Sequence, residues 1–258
     1  MVLLERREAI AVVTLNRPAR RNGITVEMCR EFYRVVQEVA ASDARVVVLR
    51  GAGNDFCVGA DIDGDRGAGD RGADGEGGSP PTLEQLGRIH HAATLLHTMP
   101  QVTIAAIDGG CAGAGLGWAT ACDFRFATPE ARFNTAFLAV GVSSDMGPPW
   151  FLTRILGGAR ARELLFFPGK LTGEEALAIG LVTRLFARDA LHDRVLALAD
   201  ELAARDGFAL RMMKANVLSA EELAIADFID VETARQLHAT SRPDLAARMA
   251  EAYRKSKG

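Results

Sequence analysis

The sequence lacks a CxxC pair, a long apolar run, an internal repeat and a large net charge of either sign. Lys and Arg number 30 against 33 Asp and Glu, a formal net charge of −3, which argues against a broad nucleic-acid surface. No apolar stretch approaches the ~18–20 residues of a membrane span, so no membrane partner is expected. The N-terminus meets charge at Glu5, so it lacks the apolar core of a secretory signal. Cys29, Cys57, Cys111 and Cys122 are scattered, the pattern of reduced structural thiols rather than of a metal site or a disulfide framework. What remains is a chain of 258 residues, 48% hydrophobic and 24% charged, with 26 glycines. That profile fits a folded, soluble cytoplasmic protein with a sizeable core, and the order of strands and helices along it reads as α/β.

Strands and helices alternate through the first half. Ala9–Leu15 is rich in β-branched residues, and Asn16-Arg17-Pro18 ends it with a turn. Thr25 is placed to cap a helix whose Met28, Phe32, Val35, Val36 and Val39 recur at helical spacing. Ala44–Leu49 and Val102–Ile107 read as strands buried on both faces. Between them, Gly64–Gly78 carries seven of the glycines without an apolar face, which reads as a flexible loop. A phosphate-cradling loop is disfavoured there, because no strand precedes it and no GK[ST] ending follows. Thr82 opens a helix running to about Thr98, Phe124–Ala127 is a further strand and Leu181–Phe186 the last clear one. From Asp189 onward the pattern is almost all helix, with an apolar stripe of Leu223, Phe228, Ile229 and Leu237 that needs a core or another subunit to cover it. The division expected is a core over residues 1–200 and a helical region over 201–258 that serves oligomerisation and pocket closure.

Two segments invite a chemical reading. Gly51–Ile62 and Asp108–Gly117 each follow a buried strand and are rich in small residues. Two such strand ends can aim free backbone N–H groups at one oxygen, and the dipole of the helix opening after the second adds to that field. They can equally be tight turns.

These segments, taken in order, resemble the crotonase, or enoyl-CoA hydratase/isomerase, superfamily. Thr14–Pro18 with Arg21-Asn22 is similar to its LNRP…N segment, Phe56–Ile62 to FSAGADL, Ala105–Gly109 with Gly113–Gly117 to AAVNGxAxGGG, and Leu171–Ala176 with Gly180–Val182 to LTAEEAxxxGLV. The resemblance implies a spiral of ββα units with a helical C-terminal region, assembled as a homotrimer or a dimer of trimers. It implies an acyl-CoA thioester as ligand, with coenzyme A carried as the substrate thioester and no further cofactor. The thioester oxygen would sit between the N–H groups of Ala60 and Ala114. Coenzyme A would lie near Arg20, Arg21, Asp61 and Ile62.

The departures bear on the reaction. Family hydratases use two glutamates, and the matching positions here are Gly117 and Phe137, neither of which can move a proton. Asp145 stands where dienoyl-CoA isomerases and 4-chlorobenzoyl-CoA dehalogenases of this superfamily carry a functional aspartate, and His90 falls where the dehalogenase pattern has an assisting histidine. Asp145 can also simply cap the helix that follows Gly147-Pro148-Pro149, and His90 can be a surface residue. Phe137 and Trp150, with Phe151, are candidates to shape an acyl pocket. Lys255 and Lys257 can reach a CoA phosphate or be a solvated tail. Three readings result: enolate chemistry on an acyl-CoA with Asp145 as acid/base, nucleophilic attack by Asp145 on an aryl-CoA, and acyl-CoA binding without catalysis.

Overall fold

The computed structural model describes residues 1–61 and 82–255. The glycine-rich 64–78 segment, Ile62 and Lys257 therefore lie outside the described residues. The chain divides into two units, Met1–Ala203 and Ala204–Gly258.

The first unit is built on a six-stranded sheet in the order β1-β2-β3-β4-β6-β9. Its strands are β1 (Val2–Arg7), β2 (Ile10–Leu15), β3 (Val46–Gly51), β4 (Val102–Ile107), β6 (Phe124–Ala127) and β9 (Arg184–Leu185). β1 and β2 form an antiparallel hairpin, and every later pairing is parallel. A second sheet joins β5 (Gly110–Ala112), β7 (Arg132–Asn134) and β8 (Leu171–Thr172). The helices of this unit are α1 (Val26–Ala40), α2 (Leu83–Thr98), α3 (Ala114–Ala121), α4 (Pro148–Phe166), α5 (Gly173–Ala178) and α6 (Leu191–Ala203).

Continuous apolar strands mean a sheet covered on both sides, and alternation assigns each residue its side. Ala11, Val13, Leu15, Val47, Leu49, Ala105 and Ile107 join the larger core, with Met28, Phe32, Val35, Val36 and Val39 of α1 and Trp118 of α3. Phe32 and Trp118 stack there with ring centroids 4.1 Å apart. Ile10, Val12, Val46, Val48, Ile104 and Ala106 face the other way, onto Leu191, Val195 and Ala199 of α6. Thr25 caps α1 by accepting the Met28 N–H.

Two expectations change. β1 carried no clear strand signal, because Glu5, Arg6 and Arg7 are exposed and only the hairpin partner makes it a strand. The last strand shrinks to Arg184–Leu185, since Leu181 and Val182 instead close the end of α5 through N–H bonds to the Ala176 carbonyl.

The second unit holds α7 (Gly207–Ala220), α8 (Ile225–Thr240) and α9 (Leu245–Lys255). Asp206 caps α7 through the Ala209 N–H and pairs with Arg242 at 2.8 Å and Arg248 at 2.7 Å. Hydrogen bonding from Arg242 holds the Asp206 carboxyl far below the usual range. The apolar stripe stays open within the chain: Ile229 is 46% and Leu237 70% exposed. Among the described residues, no helix is long and apolar enough to cross a membrane.

Asn22 ties the loop between β2 and α1 to the segment that follows β3. Asn22 is fully buried, accepts the Arg17 N–H and donates to the carbonyls of Ala52 and Asp55. Asn22→Ala leaves three backbone groups without a partner in a dry place, and a loss of about 3 kcal/mol is expected. Urea denaturation of the variant beside the parent measures it; an unchanged midpoint would contradict this role.

Candidate functional site

The site is formed where two loops meet at the ends of β3 and β4. Cys57 bridges Cys111 in parallel register, donating to the Gly110 carbonyl at 2.9 Å and accepting the Ala112 N–H at 2.9 Å. Gly59 has φ +91° and Gly113 φ +52°, values that side chains other than glycine rarely adopt. A Cβ on Gly113 would lie 3.6 Å from the Gly59 Cα, so the two chains touch backbone to backbone.

This contact leaves two donors free. Ile24 donates to the Gly59 carbonyl and accepts from Asp61, which turns the Ala60 N–H to the opposite side. Ala114 begins α3, where the first N–H groups have no intrahelical acceptor. Among the described residues, neither the Ala60 nor the Ala114 N–H has a protein acceptor. Both belong to glycine-flanked backbone held by other bonds, so an incoming oxygen would meet donors that do not reorganise.

The charged residues nearby are already committed to one another. Asp61 is buried and accepts from Arg17 at 2.8 Å and from Arg20 at 2.5 Å. Arg21 instead forks onto Asp55 with two bonds of 2.9 Å, and that contact lowers the Asp55 carboxyl below its usual range. Asp55 also accepts the Gly110 N–H at 2.7 Å, so the Arg21–Asp55 pair clamps one loop to the other. Arg20 and Arg21 are thus not one cationic cluster. Arg17, noted only as part of a motif, is the more enclosed arginine of the Asp61 group. The side chain of Lys255 lies outside the described residues.

The 141–147 loop carries the carboxyl group. Asp145 does not cap α4: the cap residue is Gly147, and no side-chain cap bond is made there. Its Oδ1 is buried and has no hydrogen-bond partner. Desolvation raises the Asp145 carboxyl above its usual range, and His90, half-buried on α2, acts against the shift by charge. The structure therefore brings Asp145 and His90 into electrostatic contact from residues 55 positions apart in the chain. Burial above all pushes the Cys57 thiol up to about 12, a backbone hydrogen bond from Gly59 opposing it and the charge of Asp145 adding to it, so it is a packing residue rather than a nucleophile.

Met146 occupies the space that a side chain at 117 would need. It is buried and takes φ +53°, a strained value for its type. A Cβ on Gly117 would stand 2.6 Å from the Met146 Cβ and 2.9 Å from its carbonyl oxygen. The volume a side chain at 117 would enter is filled by the backbone that carries Asp145. Nothing in the sequence pattern marks Met146; only its neighbour Gly147 hints at a left-handed turn. Phe137 is buried, with its ring edge 3.9 Å from the Cβ position of Gly113. Trp150 lies in the first turn of α4. It is 39% exposed, with Arg154 stacked 3.6 Å over its ring and His97 at its edge, while Phe151 is the buried aromatic. No group of three or more potential metal ligands occurs among the described residues.

The family model for enoyl-CoA hydratase/isomerase matches residues 5–253. The chain belongs to that family. It is similar to the 1,2-epoxyphenylacetyl-CoA isomerase of Escherichia coli, 31% identical over 87% of this chain and 84% of the relative. It is also similar to the human mitochondrial Delta(3,5)-Delta(2,4)-dienoyl-CoA isomerase, 32% identical over 84% of this chain and 68% of the relative. A Thermobifida fusca structure solved in complex with CoA superposes with a TM-score of 0.83 at 29% identity, covering 98% of this chain and 94% of that one. The α/β fold with its helical C-terminal region is thus the crotonase fold.

Gly117→Glu should not create the family's usual base. The new Cβ collides with Met146, so stability falls by about 1–3 kcal/mol and hydration of crotonyl-CoA stays at background; a stable variant that gains hydration would refute this packing. The Asp145 shift has its own sign. Between its unfolded value near ~3.9 and its raised folded value, the folded state holds more protons than the unfolded one, so stability falls as pH rises through that window. Asp145→Asn should therefore raise Tm at about pH 8, the difference closing as pH drops below about 4. Calorimetry at the two pH values measures it, and an equal Tm difference at both would contradict the desolvated carboxyl.

Proposed function

We propose that this protein acts on an acyl-CoA thioester through an enolate held by the Ala60 and Ala114 N–H groups, with Asp145 giving and taking the proton. The observation that carries this reading is the pairing of two backbone donors without acceptors and one desolvated carboxyl without a partner. As a proton leaves the α- or γ-carbon, charge moves onto the thioester oxygen, where two fixed donors are worth most. One carboxyl can accept that proton at one carbon and return it at another, which shifts a double bond. With glycine at 117 and phenylalanine at 137, a second carboxyl to activate water has no place. Two of the relatives are named as isomerases of CoA esters, which supports this reading, while others of similar identity are named as probable enoyl-CoA hydratases.

Burial of Asp145 favours its protonated form, which suits an acid/base and works against nucleophilic attack. Nucleophilic attack on an aryl-CoA finds support only in the closeness of His90. Coenzyme A is the substrate's own carrier in this reading, with Arg20, Arg21 and Asp61 near its adenine end; Ile62, expected beside them, is outside the described residues. Association of copies into a trimer or a dimer of trimers fits the exposed Phe166, Phe167 and Val140.

The test is a panel of crotonyl-, 3-enoyl- and 3,5-dienoyl-CoA with the parent and Asp145→Asn. Expected is isomerisation of an unsaturated substrate, reduced about 10²–10⁴-fold in the variant with acyl-CoA binding retained. Tight binding without turnover across the panel would leave a binding protein. Turnover on an aryl-CoA whose first product oxygen comes from the protein in oxygen-18 water would favour the nucleophile.

A further inference from the structure

The face of the main sheet that α6 covers changes character at the strand ends. Along β2 the residues on this face run Ile10, Val12, Thr14, and along β3 they run Val46, Val48, Arg50. The first two of each strand are sealed against α6, and the third is polar. Thr14 and Arg50 stand opposite each other in register, and the Arg50 Nε donates to the Thr14 hydroxyl at 3.0 Å.

Beside them opens a cleft of about 560 Å³, lined among others by Glu5, Thr14, Asn16, Arg50, Gly53 and His192. His192 comes from the first turn of α6 and interacts with Arg50 by charge. Among the described residues, no carboxylate pairs with the Arg50 guanidinium, and the Asn16 side-chain amide has no hydrogen-bond partner. The acidic groups in this region are already engaged or lie outside. Glu5 pairs with Arg7 at 2.6 Å, Asp108 pairs with Arg188 at 3.1 Å, and Asp193 is exposed. The half-buried Arg50 guanidinium is held by one bond to Thr14 and keeps its other donors available to the cleft. An amide donor and an imidazole share the same cleft. The set suits a planar or tetrahedral oxyanion that accepts from Arg50 and Asn16 together.

We propose that this cleft binds a small oxyanion, a carboxylate or a phosphate, at Arg50, Asn16 and His192. The site lies on the α6 side of the sheet, whereas the Ala60–Ala114 loops pack with the larger core on the other side. It does not depend on the reading of Asp145. Desolvation and Arg50 lower the His192 imidazole from its usual value, Asp108 and Asp193 oppose them, and a bound anion would add to the opposing side.

The experiment uses the full chain with carbon-13-labelled histidine, the His192 signal being assigned from His192→Gln. Inorganic phosphate and acetate are titrated separately at constant ionic strength. Expected is a saturable shift of the His192 resonance with one or both, weakened at least tenfold in Arg50→Gln and in Asn16→Ala. The stronger of the two probes tells phosphate from carboxylate. A shift that never saturates, or that is equal in Arg50→Gln, would overturn the site. Displacement of the bound probe by coenzyme A would also overturn it as a separate site, since the cleft would then belong to the thioester's carrier. Phosphate binding that survives in Asp145→Asn keeps this outcome distinct from the failure of the enolate reading.

Discussion

The structure depends on two lengths of bare backbone lying side by side. Segment 57–60 touches segment 110–114 closely enough that side chains would keep them apart. A Cβ on Gly109 would stand 1.9 Å from the Asn54 carbonyl, and one on Gly115 would stand 2.6 Å from that of Cys57. Hydrogen bonds from Phe56 to Asp108 and from Cys57 to Gly110 set the register, and the Arg21–Asp55 pair closes it from the edge. Only with both segments fixed do the N–H groups of Ala60 and Ala114 remain unspent in one region. A donor free in a rigid frame costs nothing further to orient when charge develops, which is the physical content of preorganisation.

Much of this was legible in the sequence, for reasons that differ between motifs. The apolar runs of β2, β3 and β4 announce a sheet buried on both faces, and β-branched composition does the rest. Asn22 and the Leu171–Ala176 segment are recognisable because each does a job few residues can do. Asn22 bonds three backbone groups from one buried position, and Thr172 with Glu175 forms a capping box over Gly173, where a Cβ would meet the Thr128 carbonyl at 2.0 Å. These motifs report on folding, and they reveal the family without revealing its reaction.

The charges were less legible. Periodicity says that Arg20 and Arg21 are adjacent, yet one faces Asp61 and the other Asp55, because φ at Arg21 is +51° and the chain reverses between them. Pairings between residues 34 to 44 positions apart follow from the meeting of loops, and local sequence carries no record of which partner each arginine finds. Trp150 shows the same limit on a helix. Its place just after Asp145 suggested a pocket wall shared with Phe151, and local sequence does not tell that Trp150 is the half-exposed one, under Arg154, and Phe151 the buried one.

The carboxyl group shows how an absence and a presence can be one event. Read separately, Gly117 is a lost glutamate and Asp145 is an extra aspartate. In space they compete, since the Met146 backbone stands where a side chain at 117 would start. A chain with glutamate at 117 would have to move the 145–146 turn away, and a chain with this turn must keep glycine at 117. The strained φ of Met146 implies that the turn is held by its surroundings rather than by its own preference. A protein that had merely lost its acid–base pair would have no need to hold strain there, or to keep an unpartnered carboxyl oxygen away from water. Both costs fall on the residues that place Asp145, so the glycine at 117 and the strained 145–146 turn are two sides of one packing arrangement.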